Sequence, residues 1–330
     1  MNNFEYALPE KTGEIFEYLK TKDAVIKSGG IDLLDMMKEN LIAPNRLVNI
    51  KNISELHFIK EMKDGTLKMG PNVTLAELAK SEKLKGSFKA LAQAAEGAAI
   101  PQIRNMATLG GNLCQRPRCW YFRSSDFHCS RKGGDTCFAL DGENKYHAIL
   151  GNDDGCIIVH PSATAVALTA LDARLKILNE KEEKIIGIKD FFITPSTDIT
   201  RENILQKREI ITEINIPAEM KKYQSFYLKI KEKQAFDWPL ADVAVALKME
   251  DNKCIDARVI LGSAAPFPWH SKIAESVLKN SVVTKKLAFQ AAEEAMIDAD
   301  PMSENGYKVQ IFKTIIYRSI CNLAGLNPFE

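Results

Sequence analysis

Between residues 119 and 156 the chain places four of its seven cysteines, Cys119, Cys129, Cys137 and Cys156, in a segment without helical or strand periodicity. A stretch of about forty residues with no repeating apolar pattern has no ladder to hold it, so it is disordered or pinned by something else. Four gathered thiolates are what a metal or an iron–sulfur cluster requires. Their spacing, C-x9-C-x7-C-x18-C, contains no C-x-x-C pair, which weakens a zinc-ribbon reading. The segment, 115–155, also carries Arg116, Arg118, Arg123, Arg131 and Lys132. It begins directly after Ala107-Thr-Leu-Gly-Gly-Asn112, a glycine-rich turn suited to gripping phosphate.

The rest of the composition bounds the class. At 330 residues, with 45% apolar and 26% charged residues, the chain is long enough for two or three well-buried domains. A net charge of +1 without a basic stripe gives no support for nucleic-acid binding. No run of eighteen apolar residues and no signal-peptide pattern occur, so the expectation is a cytoplasmic protein without a membrane span. Seven cysteines in that setting read as reduced thiols or ligands rather than a disulfide framework.

Along the chain, 11–20 reads as an amphipathic helix, 24–27 as a buried strand entering Ser28-Gly-Gly30, 32–39 as a helix and 46–50 as a second strand. This unit predicts a small parallel sheet. A strand at 67–70 precedes Thr74, with Glu77 three residues on, a capping-box pattern. Further helices are expected at 85–98 and from 161 to 171, with strands at 156–160, 173–177 and 207–217. Apolar runs at 241–249 and 254–264 flank Glu250-Asp-Asn-Lys253 and predict an antiparallel hairpin. Helices are expected at 271–279, 285–298 and 307–323.

Two turns, Lys27-Ser-Gly-Gly-Ile-Asp32 and Thr108-Leu-Gly-Gly-Asn112, end short elements in glycine pairs. Glycine lets successive N–H groups converge on an anion, and a helix starting at Asp32 adds its positive end. Either pair alone also fits an ordinary tight turn. Neither matches G-x-G-x-x-G or G-x-x-x-x-G-K-[ST], which argues against Rossmann and P-loop sites; a diphosphate held between two loops is another solution.

Ser28-Gly-Gly-Ile-Asp-Leu33 and Gln102-Ile-Arg-Asn-Met-Ala-Thr-Leu-Gly-Gly-Asn112 resemble the two signatures of the flavin-binding medium subunits of the molybdenum hydroxylases. Leu67-Lys-Met-Gly70 with Thr74, and Arg258-Val-Ile-Leu-Gly-Ser-Ala-Ala-Pro266, resemble further elements of that family, over nearly the whole chain. The resemblance implies an α+β fold. Two N-terminal α/β FAD-binding subdomains of the PCMH type (1–55 and 56–220) would precede a C-terminal antiparallel sheet with helices (221–330). It implies FAD at Lys27, Ser28, Gly29, Gly30, Ile31, Asp32, Thr108, Gly110, Gly111 and Asn112. Lys229 and Asp237 would lie near the flavin, although exposed salt-bridging residues are an equal reading there. Ile31 stands in place of the usual threonine, and Ala163 in place of an aspartate near the cofactor.

Most of that family has only a short connection after Gly-Gly-Asn. The insertion here resembles that of hydroxybenzoyl-CoA reductase and a periplasmic aldehyde oxidoreductase, where it holds a [4Fe–4S] cluster. The matching positions are Cys119, Cys129, Cys137 and Cys156, with structural zinc or free thiols as alternatives. Cys114 falls outside the pattern, Cys254 and Cys321 read as buried thiols, and His128 and His147 read as polar loop residues or alternative ligands. The implied role is an FAD and [4Fe–4S] electron-transfer subunit. Its partners would be a large molybdenum chain, a small [2Fe–2S] chain and an external electron carrier. No catalytic base is identifiable, and substrate chemistry falls to the large chain. A stand-alone flavin oxidoreductase and a zinc-stabilised scaffold without redox role are the alternatives.

Overall fold

A computed structural model describes residues 1–152, 155–233 and 237–329. Positions 153–154 of the cysteine segment, 234–236 of the expected flavin-side loop and the last residue lie outside this set. Three sheets follow one another along the chain. Strands β1 (Glu5–Ala7), β2 (Ala24–Lys27) and β3 (Arg46–Asn49) form an all-parallel sheet in the order β1-β3-β2. The second contains β4 (Ile59–Glu61), β5 (Leu67–Met69), β6 (Arg174–Leu178), β7 (Glu183–Gly187) and β8 (Ile210–Ile216), in the order β4-β5-β8-β6-β7. The third is antiparallel and runs through β9 (Gln224–Ile230), β10 (Ala241–Glu250), β11 (Lys253–Gly262) and β12 (Trp269–His270), with β13 (Ser281–Val282) pairing β11.

Strand β10 shows why the last two parts pack as they do. Its Val243, Val245 and Leu247 join the core formed with the C-terminal helices. The alternate residues Ala244 and Ala246 join the core of the second sheet and the helix Ala163–Ala170. Both faces are apolar, as a strand covered on both sides demands, and the small residues share a core with a helix that is half alanine and entirely buried.

The observed elements depart from those expected in four places. The expected helix at 11–20 shrinks to a 3-10 turn and Ile15–Tyr18. The helix at 85–98 breaks at Phe88, which leaves helical geometry (φ −129°, ψ 46°) and buries its ring in the core of the second sheet. Residues 156–160 form no strand: Ile157 O and His160 N make isolated bonds to Ala148 and Ala265, so no ladder builds. The second glycine turn is a short helix, Leu109–Leu113. Among the described residues no helix is long and apolar enough to cross a membrane.

Candidate functional site

The first glycine turn lies where β2 ends and the helix Ile31–Lys38 begins. Gly30 adopts φ +81°, a left-handed conformation that favours glycine. The helical ladder starts with Leu34 N–H donating to Gly30 O at 2.9 Å, so the N–H groups of Ile31, Asp32 and Leu33 have no helical acceptor. That is the donor set an anionic diphosphate needs at a helix start. At Gly29 a Cβ would drive into the Met106 carbonyl oxygen, so only glycine lets this turn approach the 106–107 backbone. The two turns are joined by hydroxyls: Thr108 donates to Ser28 Oγ (2.9 Å) and Ser28 to Asn72 Oδ1 (2.8 Å). Asn72 in turn donates to Ile50 O at 2.6 Å.

Other expected cofactor residues are engaged differently. Lys27 Nζ is half-buried and donates to Ser28 O (3.1 Å) and Asn49 Oδ1 (3.3 Å). At the second turn the N–H groups are already used internally, Gly110 on Pro71 O (2.9 Å) and Gly111 on Thr108 Oγ1 (3.4 Å). Asn112 Oδ1 accepts from Ser162 and Thr164, both at 2.6 Å. This turn braces the cradle rather than offering free backbone donors. Lys229 donates to Gly97 O (3.2 Å), and burial pushes its ammonium down to about 8. Asp237 accepts from Lys233 N–H and Trp238 N–H, both at 3.1 Å, and so ties its own loop.

Asp32 turns away from solvent to face the cysteine segment. It pairs with Arg118 and with Arg123 (2.7 Å), and accepts Arg116 N–H at 2.8 Å. Burial raises its carboxyl, but the two guanidiniums outweigh that and hold it below the usual carboxylate range. Buried Glu202 pairs with Arg116 (2.7 Å) and Arg131 (3.1 Å).

Behind these pairs the four cysteines come together on one small cavity, with Phe122, Ile157 and Ile158 among its walls. Cys129 opens a tight turn that closes at Gly134, where a Cβ would strike the His128 carbonyl. Cys119 caps the short helix Trp120–Arg123. Cys137 and Cys156 are neighbours, and their interaction lowers the Cys137 thiol and raises that of Cys156. Burial pushes Cys119 up to about 11. Among the described residues no group of three or more His, Cys, Asp or Glu side chains is arranged to hold a metal ion. Cys114 does not line the cavity, and burial pushes it up to about 12; Cys254 and Cys321 are wholly buried in the C-terminal core.

The loop is fixed from the C-terminal helix Tyr307–Leu323. Lys308, fully buried, donates from Nζ to His147 O (2.8 Å) and Ser263 O (2.5 Å). Asn305 donates to His147 O (3.2 Å) and Ala148 O (3.0 Å), and Asn144 to Ala139 O (3.2 Å) and Ser303 Oγ (3.0 Å). His147, one of the two histidines weighed as alternative ligands, and Arg131, one of the segment's cations, also line the cavity, whereas His128 does not. Burial, with Lys308 nearby, pushes His147 down to about 4, so it is neutral at pH 7. Lys308 was legible in principle: with Phe312, Ile315 and Ser319 it occupies the buried stripe of its helix. A separate open pocket lined by Phe192, Phe267 and Trp269 contains none of the expected site residues.

Residues 2–219 match a family described as the FAD binding domain in molybdopterin dehydrogenase, and 226–323 match the CO dehydrogenase flavoprotein C-terminal domain. An aldehyde oxidoreductase FAD-binding subunit of Escherichia coli (strain K12) is 30% identical over 87% of each chain. A carbon monoxide dehydrogenase medium chain of Hydrogenophaga pseudoflava is 26% identical, covering 91% of this chain and 88% of that one. Among solved structures, carbon monoxide dehydrogenase from Hydrogenophaga pseudoflava superposes with TM-score 0.75 at 25% identity over 98% of each chain. Quinoline 2-oxidoreductase from Pseudomonas putida 86 shares the fold, with TM-score 0.77 at 22% identity over 98% of each.

Proposed function

Because this chain belongs to the FAD-binding medium subunits of the xanthine dehydrogenase and carbon monoxide dehydrogenase family, we propose that it adds a [4Fe–4S] cluster to the flavin those subunits hold. It is an oxidoreductase subunit, and FAD is the cofactor of its N-terminal domain. The observation that carries the proposal is the convergence of Cys119, Cys129, Cys137 and Cys156 on one small cavity. A cubane spreads its four ligands around a core instead of focusing them on one ion, so thiols surrounding a cavity suit it. Buried Arg131 on the same wall supplies positive charge against a tetrathiolate centre.

We assign the FAD diphosphate to the open N–H groups after Gly30, with Ser28, Gly29 and Thr108 shaping the cradle. Lys229 and Asp237 are assigned to the flavin side. When bound, flavin exchanges electrons singly or in pairs and the cluster exchanges them singly. The protein's part is to hold the two centres in fixed relation. Asp32 does this by joining the cradle helix to Arg118 and Arg123 of the cysteine segment. Molybdenum chemistry falls to a large partner chain, a small [2Fe–2S] chain links it to this subunit, and an external carrier exchanges electrons with the complex. We place the complex in the cytoplasm, a reducing compartment that keeps cysteines available as cluster ligands.

Anaerobic purification tests this reading. The expected result is bound FAD with about four iron and four labile sulfides per chain; zinc without flavin overturns it. Cys137→Ser is expected to abolish the cluster spectrum while FAD stays bound, and an unchanged spectrum refutes the ligand assignment.

A further inference from the structure

The wall of the cysteine cavity holds one group that the four thiols leave unexplained. His147 is 3% exposed, faces that cavity, and neither of its ring nitrogens has a hydrogen-bond partner. An unpaired buried imidazole N–H costs about 1–3 kcal/mol, so such a placement calls for an acceptor. The ring has not drifted there through slack in the chain. His147 N–H donates to Asn144 O (3.0 Å), and its carbonyl receives Asn305 Nδ2 (3.2 Å) and Lys308 Nζ (2.8 Å). Asn144, Asn305 and Lys308 are all fully buried. Three backbone bonds therefore hold the residue while its ring is left toward the thiols.

Resting on the [4Fe–4S] reading above, we propose that His147 donates its N–H to a sulfur of the four-cysteine centre and thereby raises that centre's reduction potential. Four thiolates around an iron–sulfide core make the centre anionic, and reduction adds one more negative charge. An N–H dipole aimed at sulfur stabilises the reduced form more than the oxidised form. The buried Ile157 and Ile158 on the same wall lower the local polarity and strengthen the effect. His147 is a positioning residue here and is not a fifth ligand.

The test compares the full chain with His147→Phe, which keeps ring volume without an N–H, and His147→Asn, which restores an N–H donor. Iron, sulfide and FAD are counted, and the cluster potential is then followed by low-temperature EPR in a mediated redox titration. The Phe variant is expected to retain its iron. At a fixed potential its reduced-to-oxidised ratio is expected to fall about tenfold, equivalent to about 59 mV for one electron. The Asn variant is expected to recover most of that shift, and the flavin potential to stay put in both. An iron-replete Phe variant with unchanged potential overturns the proposal. So does an Asn variant displaced as far as Phe, or loss of iron from both. Absence of a cluster from the unmodified chain instead overturns the cofactor reading on which this inference stands.

Discussion

The glycine cradle and the cysteine cavity meet at Asp32, yet different kinds of contact hold them. The cradle is made of backbone at the ends of regular elements: the start of the Ile31–Lys38 helix, the Gly29 approach to Met106 and the hydroxyl chain Thr108–Ser28–Asn72. The cavity belongs to a segment with almost no ladder of its own, held by buried side chains arriving from elsewhere, Lys308, Asn305 and Glu202. A backbone site is sensitive to added atoms, because there is no room for a Cβ. A side-chain-held site is sensitive to removed atoms, because each lost donor strands buried carbonyls. The two regions should therefore fail independently, and the following changes probe that.

Lys308→Met should have the largest effect. It strands the Ser263 carbonyl and leaves the His147 carbonyl with Asn305 alone, in a fully buried place, costing about 3 kcal/mol. Urea unfolding measures the loss, and iron should leave while FAD remains. If FAD falls in step with iron, the two sites are a single cooperative unit. Gly29→Ala should do the converse. Its Cβ meets fixed backbone at Met106, and FAD affinity is expected to drop about a hundredfold, about 2.7 kcal/mol, with iron content unchanged. Fluorescence titration of the apo-flavoprotein reads this directly.

Asp32→Asn tests the joint itself. Removing a half-buried carboxylate between two arginines is expected to cost about 2 kcal/mol and to weaken retention of both cofactors, unlike the two preceding variants. Loss of only one cofactor would assign Asp32 to that site alone.

The smallest effect concerns acid. Burial, aided by Arg131, pushes His160 down to about 3, against about 6.5 in an unfolded chain. Between those values the unfolded state binds a proton that the folded state refuses. The stabilisation is thus complete above pH 6.5 and is lost as pH falls toward 3. His160→Phe is expected to remove about 1.4 kcal/mol of the loss for each pH unit in that window. Unfolding at pH 7 and pH 5.5 checks this, and an equal acid loss in both proteins would place the sensitivity elsewhere.

Local signals carried much of the architecture. The Thr74–Glu77 capping box forms with Thr74 N–H on Glu77 Oε2 at 2.8 Å. The strand Ala24–Lys27, the helix Tyr307–Leu323 and the hairpin of β10 and β11 follow from apolar periodicity and a polar turn. Strands β1, β4 and β7 escaped because they are short and largely solvent-facing, so their pairing depends on distant partners rather than on pattern. At 156–160 the opposite error arises: an apolar run looks like a strand, but its neighbours offer single hydrogen bonds.

For the site, residue types and their clustering nominated the glycine turns and the thiols as candidates, while FAD and the four-cysteine ligand set came from the family resemblance, since the spacings match no standard phosphate or zinc motif. Only the tertiary structure decided that the first turn keeps open N–H groups while the second has spent its own on Pro71 and Thr108. It alone turned Asp32 toward Arg118 and Arg123, and brought His147 and Arg131 to the wall of the cysteine cavity. The reason is physical. Chemical capacity is a property of a residue, whereas burial, unsatisfied donors and charge pairing arise from partners tens to more than a hundred positions away, as Lys308 and His147 are.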